Sequence, residues 1–321
     1  MFPILVPIEV GGQDFSLHTY GVMMALAFVT GIWLGVREAR RTGQDPEDIM
    51  DISFWVLIAA MVGARVLFII VNADEYYYAC ADFAYFNATY DPPVPLDGPH
   101  CFEIAKVWTG GLVFYGGFLG AVAASVWYCR KQGLSFLRIA DTLIPSVALG
   151  QTFGRLGCLA AGCCWGKVCS LPFGIHLPAH SMAWKGQVDV GLIDKWAETT
   201  AAIHPTQLYE AIATLFIFGL LIWYRRRKRY HGQVLLMYLF VYPLARSTIE
   251  VFRGDKARGM VAEWGSDAVN TFLGLPLGSN VLLSTSQLIS LLVAAGAVWL
   301  LLTVRKGSST ADASPATPAT T

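Results

Sequence analysis

Seven apolar runs, near 18–37, 51–72, 110–129, 139–161, 208–224, 233–252 and 281–304, constrain this chain of 321 residues more than any other feature. Each approaches the ~20 residues that cross a ~30 Å hydrocarbon core as a helix. Length alone would allow about two soluble domains. With the runs counted, one all-α polytopic membrane domain of seven transmembrane helices over 1–306 is the expectation. Composition agrees: 55% of residues are hydrophobic and 14% charged, against roughly 25% charged in a soluble domain. The 23 basic residues balance the 23 acidic ones, so no net field attracts a polyanion and a nucleic-acid partner is not expected.

The flanks of the runs vote on orientation, because short cytoplasmic loops are enriched in Lys and Arg. Arg37, Arg40 and Arg41 follow the first run, and Arg130, Lys131 and Arg138 the third. Arg225 to Arg229 follow the fifth, and Arg305 with Lys306 the seventh. The loop between the second and third runs carries Asp74, Glu75, Asp82, Asp91, Asp97 and Glu103 against Lys106. The pattern predicts a periplasmic N-terminus, a cytoplasmic C-terminus and periplasmic loops at 73–109 and 162–207, in a bacterial inner membrane. The N-terminal segment lacks a basic n-region and two prolines interrupt it, so it does not read as a signal peptide. Residues 307–321, rich in Ser, Thr, Ala and Pro, read as a disordered low-complexity tail. Cys80 and Cys101 fall on the oxidising side, where a disulfide is allowed and two separate thiols are the alternative.

Charges inside apolar runs cost about 2.5–3.5 kcal/mol each on insertion scales and need a partner or a purpose. Arg65, Asp141, Arg155, Glu210, Arg246 and Glu250 are such charges. Arg246 and Glu250 are four apart and share a helix face. An intrahelical pair would explain those two but leave Arg155 unexplained. Two guanidiniums from separate runs, facing one cavity, suit a phosphate, so the implied ligand is anionic. The glycine-dense stretches GGLVFYGGFLGA and GQTFGRLGCLAAGCCWG allow close helix packing or backbone contact with a lipid head group. The string His204-Pro205-Thr206-Gln207-Leu208-Tyr209-Glu210 puts donors, acceptors and a titratable ring where the outer loop enters the fifth run.

These residues resemble the bacterial prolipoprotein diacylglyceryl transferases. The matching blocks are His18-Thr19-Tyr20-Gly21, Gly63-Ala64-Arg65, Trp108 to Leu112 with Tyr115-Gly116-Gly117, Gly154-Arg155-Leu156-Gly157 through Trp165-Gly166, His204 to Glu210, and Arg246 to Glu250. The resemblance implies transfer of the diacylglyceryl group of phosphatidylglycerol to the lipobox cysteine of a preprolipoprotein, with glycerol phosphate released. It implies a multi-pass inner-membrane enzyme with no cofactor and no metal. The alternatives are a divergent relative with another acceptor, and a transporter or binding protein for an anionic lipid or solute.

On that resemblance the expected catalytic residues are Arg155, Arg246, Glu250, Tyr20 and His204. Arg65, Tyr115, Gly116, Gly117, Asp141, Cys158, Gly166, Gln207, Tyr209 and Glu210 are the expected substrate-binding residues. The chain departs from the family's signature at three positions: Cys158 stands for an asparagine, Cys163 for an acid and Tyr115 for a histidine, which leaves His18 and His204 as the alternative bases. Cys158, Cys163, Cys164 and Cys169 cluster on the periplasmic side. They are expected to form one disulfide there, with apolar packing as the alternative and redox-active thiols as a third option.

Overall fold

The computed structural model describes residues 4–10, 13–90, 101, 111–254, 267–276 and 284–311. Thr109 and the rest of 102–110 lie outside the described residues, as does the tail from 312. In chain order the described elements are a hairpin, β1 (Ile4–Val10) and β2 (Gln13–His18), then α1 (Thr19–Arg41), α2 (Pro46–Val71), α3 (Ala73–Ala81), α4 (Phe83–Tyr90), α5 (Phe114–Lys131), α6 (Phe136–Ala161), α7 (Met182–Asp189), α8 (Thr206–Arg225), α9 (Gln233–Glu250), α10 (Asp267–Leu273) and α11 (Thr285–Ala311). The fold is helical, and each of the seven apolar runs contains one long helix. The antiparallel hairpin pairs Val10 with Gln13 and Ile4 with His18, and adds strands that the run pattern did not announce. The helix α11 continues to Ala311, five residues into the segment read as a tail.

Among the described residues three helices, α1, α2 and α8, are long and apolar enough to cross a membrane, and α11 contains a shorter apolar stretch, Gln287–Leu300. The charged and polar side chains carried by α6 and α9, among them Asp141, Arg155, Arg246 and Glu250, keep those two helices less apolar. Local signals set the helix ends. Asp45 caps α2 by accepting a hydrogen bond from the Glu47 N–H at 2.9 Å, with Pro46 in the first turn and Glu47 and Asp48 beside the positive end of the helix dipole. Arg40 and Arg41 sit in the last turn of α1, where the dipole favours cations.

The chain divides into two units, residues 36–139 and residues 1–35 with 140–321. In the first, α2 and α5 meet backbone to backbone. A Cβ on Gly116 would overlap the Gly63 carbonyl, a Cβ on Gly120 would overlap that of Ala59, and one on Gly117 would sit 3.2 Å from the Ala60 carbonyl oxygen. Gly116 and Gly117 therefore serve helix packing, which corrects their reading as substrate contacts. Arg65 is buried, its Nη1 donating to the Gly111 carbonyl at 3.4 Å and its guanidinium lying 5.6 Å from the Phe68 ring and 5.5 Å from the Tyr76 ring. Tyr115 is exposed on α5. Cys80 and Cys101 form a disulfide with a Cα–Cα distance of 4.5 Å.

In the second unit α1 and α6 run antiparallel, with Gly157 against Tyr20, Gly154 against Met24, Gly150 against Ala27 and Gly31 against Ser146. Ala148, Ile217, Leu221, Val234 and Tyr238 join α6, α8 and α9 in one apolar core. Asp141 supplies a cap across that core. Its Oδ1 accepts from the N–H groups of Val234 and Leu235, both at 3.0 Å. Its Oδ2 accepts from the Gly232 N–H at 2.9 Å and from Lys228 Nζ at 3.0 Å. The N-cap of α9 is Gly232, which has no side chain to do this. The substrate-binding reading of Asp141 is thereby replaced by a structural one: the carboxylate is buried with every lone pair engaged.

Candidate active site

The second unit brings together Arg155 of α6, Glu210 of α8 and Arg246 with Glu250 of α9. Arg155 Nη2 lies 2.8 Å from Glu210 Oε1, and Arg246 Nε lies 3.9 Å from the same oxygen. Arg246 Nη1 reaches Glu250 Oε2 at 2.5 Å, across one helical turn. The guanidiniums thus converge through a shared carboxylate from a third helix, and the pair Arg246–Glu250 is one half of a larger constellation. Two cations and two anions make it formally neutral. Exposure is uneven: the Arg155 and Arg246 side chains keep 23% and 16% of their surface, the Glu210 and Glu250 side chains 3% and 4%. The carboxylates are buried more deeply than the two arginine side chains, and the Arg246 Nη1 atom is itself buried. Tyr242 also belongs here, within electrostatic reach of Glu210, Arg155 and Arg246. It precedes Arg246 by four residues, and that spacing on a helix was the signal for it.

Beside this cluster, α6 ends and the chain turns back. The Cys163 N–H donates to the Cys158 carbonyl at 3.1 Å, and Gly162 and Cys164 take left-handed backbone at φ 69° and 58°. The Sγ atoms of Cys158, Cys163 and Cys164 all lie within 4.8 Å of one another. No disulfide joins them, and Cys169 is a free buried thiol whose Sγ faces the Leu171 carbonyl. The expected disulfide is therefore corrected to three clustered free thiols and one packing cysteine. Hydrogen bonds from the thiols of Cys158 and Cys163 pull Cys164 below the usual thiol range, with Arg253 and Arg155 adding to the effect. Hydrogen bonding with Cys158 and Cys164, together with burial, pushes Cys163 up. Tyr20, partly exposed at the start of α1, is within electrostatic reach of the three thiols and of Arg155.

The polar string before α8 fastens this turn. Gln207 Nε2 donates to the Cys163 carbonyl at 2.7 Å and Thr206 Oγ1 to the Cys164 carbonyl at 2.9 Å. His204 is fully buried, its Nδ1 3.2 Å from the Tyr209 hydroxyl and its ring 5.0 Å from that of Phe252. Burial pushes its pKa down, a backbone hydrogen bond with Gly274 opposing and Lys167 adding to the fall. Gly166 fits where three backbones meet: it bridges to Arg253, and a Cβ there would sit 2.7 Å from the His204 Cβ. Gly166 and Tyr209 thus pack the loop rather than line the cluster. Arg253, buried and felt by Cys164, is a third guanidinium that the sequence reading passed over.

Arg155, Arg246, Glu210, Glu250, Tyr20, Cys158 and Gln207 come together in the second unit, whereas Arg65, Tyr115, Gly116 and Gly117 belong to the first.

A family model described as prolipoprotein diacylglyceryl transferase matches residues 6–303. The chain is 34% identical to a phosphatidylglycerol–prolipoprotein diacylglyceryl transferase from Geobacillus kaustophilus, over 75% of this chain and 78% of that one. A protein of the same name from Aliivibrio fischeri is 30% identical, over 86% and 85%. One from Clostridium tetani is 29% identical, over 86% and 88%.

Proposed function

This chain belongs to the prolipoprotein diacylglyceryl transferase family, and we infer that it performs the transfer for which its relatives are named, taking phosphatidylglycerol and prolipoprotein as substrates. The acceptor is the lipobox cysteine of a preprolipoprotein. Its sulfur forms a C–S bond to the glyceryl carbon, the C–O bond to phosphate breaks, and glycerol phosphate leaves with the electron pair. The acceptor thiol, of ordinary pKa near 8.5, loses its proton in the process.

Such a displacement needs charge stabilised on the departing phosphate by donors already in place. One observation carries the assignment: guanidiniums from α6 and α9 converge on Glu210, and both arginine side chains keep part of their surface exposed. Arg155 and Arg246 take the phosphate. Glu210 and Glu250 are positioning residues that hold the two forks, and Tyr20 orients the lipid beside Arg155. His204 and Gln207 act through the loop they fasten rather than on substrate.

The seven long helices form seven crossings of the bacterial inner membrane, N-terminus in the periplasm and C-terminus in the cytoplasm, with periplasmic loops at 73–109 and 162–207. The positions of the arginine clusters support that orientation. The function is tested by complementing a strain depleted of its own diacylglyceryl transferase, and by following thioether-linked diacylglyceryl on a lipobox peptide supplied with phosphatidylglycerol. Lipid bound and returned without a covalent product would favour a transporter or binding protein.

A further inference from the structure

We propose that Cys158, Cys163 and Cys164 form a three-thiolate site for a soft monovalent cation, with Cu(I) as its probe. The three Sγ atoms already lie within 4.8 Å of one another. A trigonal site with metal–sulfur bonds of about 2.3 Å has sulfurs about 4 Å apart, so closure needs movements of under about 1 Å. Thiolates select soft cations such as Cu(I) over hard ones. Zinc prefers a fourth ligand, and the group found among the described residues offers three donors.

The donors are held from behind. Cys158 is in the last turn of α6, and the left-handed backbone at Gly162 and Cys164 brings the next two cysteines back beside it. Gln207 and Thr206 of α8 fix the carbonyls of Cys163 and Cys164. Three thiolates and one Cu(I) sum to a charge of minus two, and Arg253 and Arg155, both within electrostatic reach of Cys164, offset part of it. In the binding step three S–Cu bonds form, and each S–H proton still present on the three sulfurs is released to solvent. Copper stays monovalent throughout.

The test uses the full chain in lipid nanodiscs, reduced and kept anaerobic, with Cu(I) added against the chelator bathocuproine disulfonate. Retention of one copper per chain is expected, and mass mapping of alkylated thiols should show copper protecting Cys158, Cys163 and Cys164. Cys163→Ser and Cys164→Ser should weaken retention by about 100-fold or more, and Cys169→Ser should leave it unchanged. The proposal is overturned if the wild-type chain yields all its copper to the chelator, if protection falls on Cys129 or Cys169, or if the serine variants hold copper as well as wild type. The protection map needs only the wild-type chain, so a variant that fails to fold does not spare the proposal. Copper retention is read without transferase activity, and failure of either reading leaves the other standing.

Discussion

Glu210→Gln probes the point on which both guanidiniums depend. The replacement keeps the shape of a side chain that is 3% exposed and removes only its charge. Arg155 Nη2 lies 2.8 Å from Glu210 Oε1 as an ion pair, so removing the charge forfeits that attraction in a partly buried setting, about 1–2 kcal/mol. Arg246, 3.9 Å away, loses a longer-range attraction that its residual exposure partly screens, worth under about 1 kcal/mol. The sum is roughly 2 kcal/mol, or about 30-fold in kcat/KM. Because the forks are needed most when phosphate leaves, the loss should fall on kcat more than on KM. The assay is the rate of thioether-linked diacylglyceryl formation on a lipobox peptide, with folded protein quantified by thermal unfolding in the same detergent. Glu210→Ala, which leaves two guanidiniums without their shared anchor, should lower stability by about 3–5 kcal/mol and lower the rate of the folded fraction more than Glu210→Gln does. Turnover within twofold of wild type in Glu210→Gln, or a loss fully accounted for by unfolded protein, would refute the positioning role.

Arg246→Ala should lower kcat by about 10²–10³-fold with little loss of folded protein in membranes, and Arg246→Lys should recover little of it because an ammonium cannot replace the fork; wild-type rates would count against a phosphate contact. Gly116→Ala should destabilise the α2–α5 packing by about 1–3 kcal/mol, read as a fall in melting temperature; an unchanged melting temperature would show that the two backbones can separate freely. Asp141→Ala should cost about 3–5 kcal/mol by stranding Lys228 and the first N–H groups of α9, measured by denaturant titration, with Lys228→Met milder. The depressed pKa of His204 keeps its ring neutral when folded, whereas the unfolded chain takes up the proton below about pH 6.5. Its contribution is complete above that value and is lost as pH falls toward the folded pKa. His204→Asn should flatten that acid-side slope, and an identical slope in the variant would place the sensitivity elsewhere.

The long helices were legible because a membrane core demands continuous apolar stretches, a signal no loop imitates. The hairpin has a signal of its own, two strand-like runs flanking Gly11-Gly12, a recognised turn pair, but runs of six or seven residues are too short to register as membrane crossings. Arg155 and Arg246 stood out because a charge in an apolar run is conspicuous, and Glu210 because it opens one. Asp141 was conspicuous for the same reason and was misread: sequence tells that a buried carboxylate needs donors, not that those donors are backbone N–H groups some 90 residues away. Gly116 and Gly117 were misread because packing and ligand contact ask for the same missing Cβ. The cysteines were seen as a group, but whether sulfurs bond or merely adjoin depends on the turn after α6, which spacing does not fix. Arg253 and Tyr242 stand three residues after Glu250 and four before Arg246, and nothing in their spacing separates a site residue from an ordinary helix-end charge or packing aromatic.

The built-in anions of the arginine cluster bear on what happens after each turnover. A bare pair of guanidiniums would clutch a departing dianion, and freeing the site would become the slow event. Here Glu210 and Glu250 stand ready to reclaim their partners the moment the phosphate loosens. On the proposed assignment, the same neutrality that weakens first capture also speeds letting go, which favours repeated cycles over tight hold.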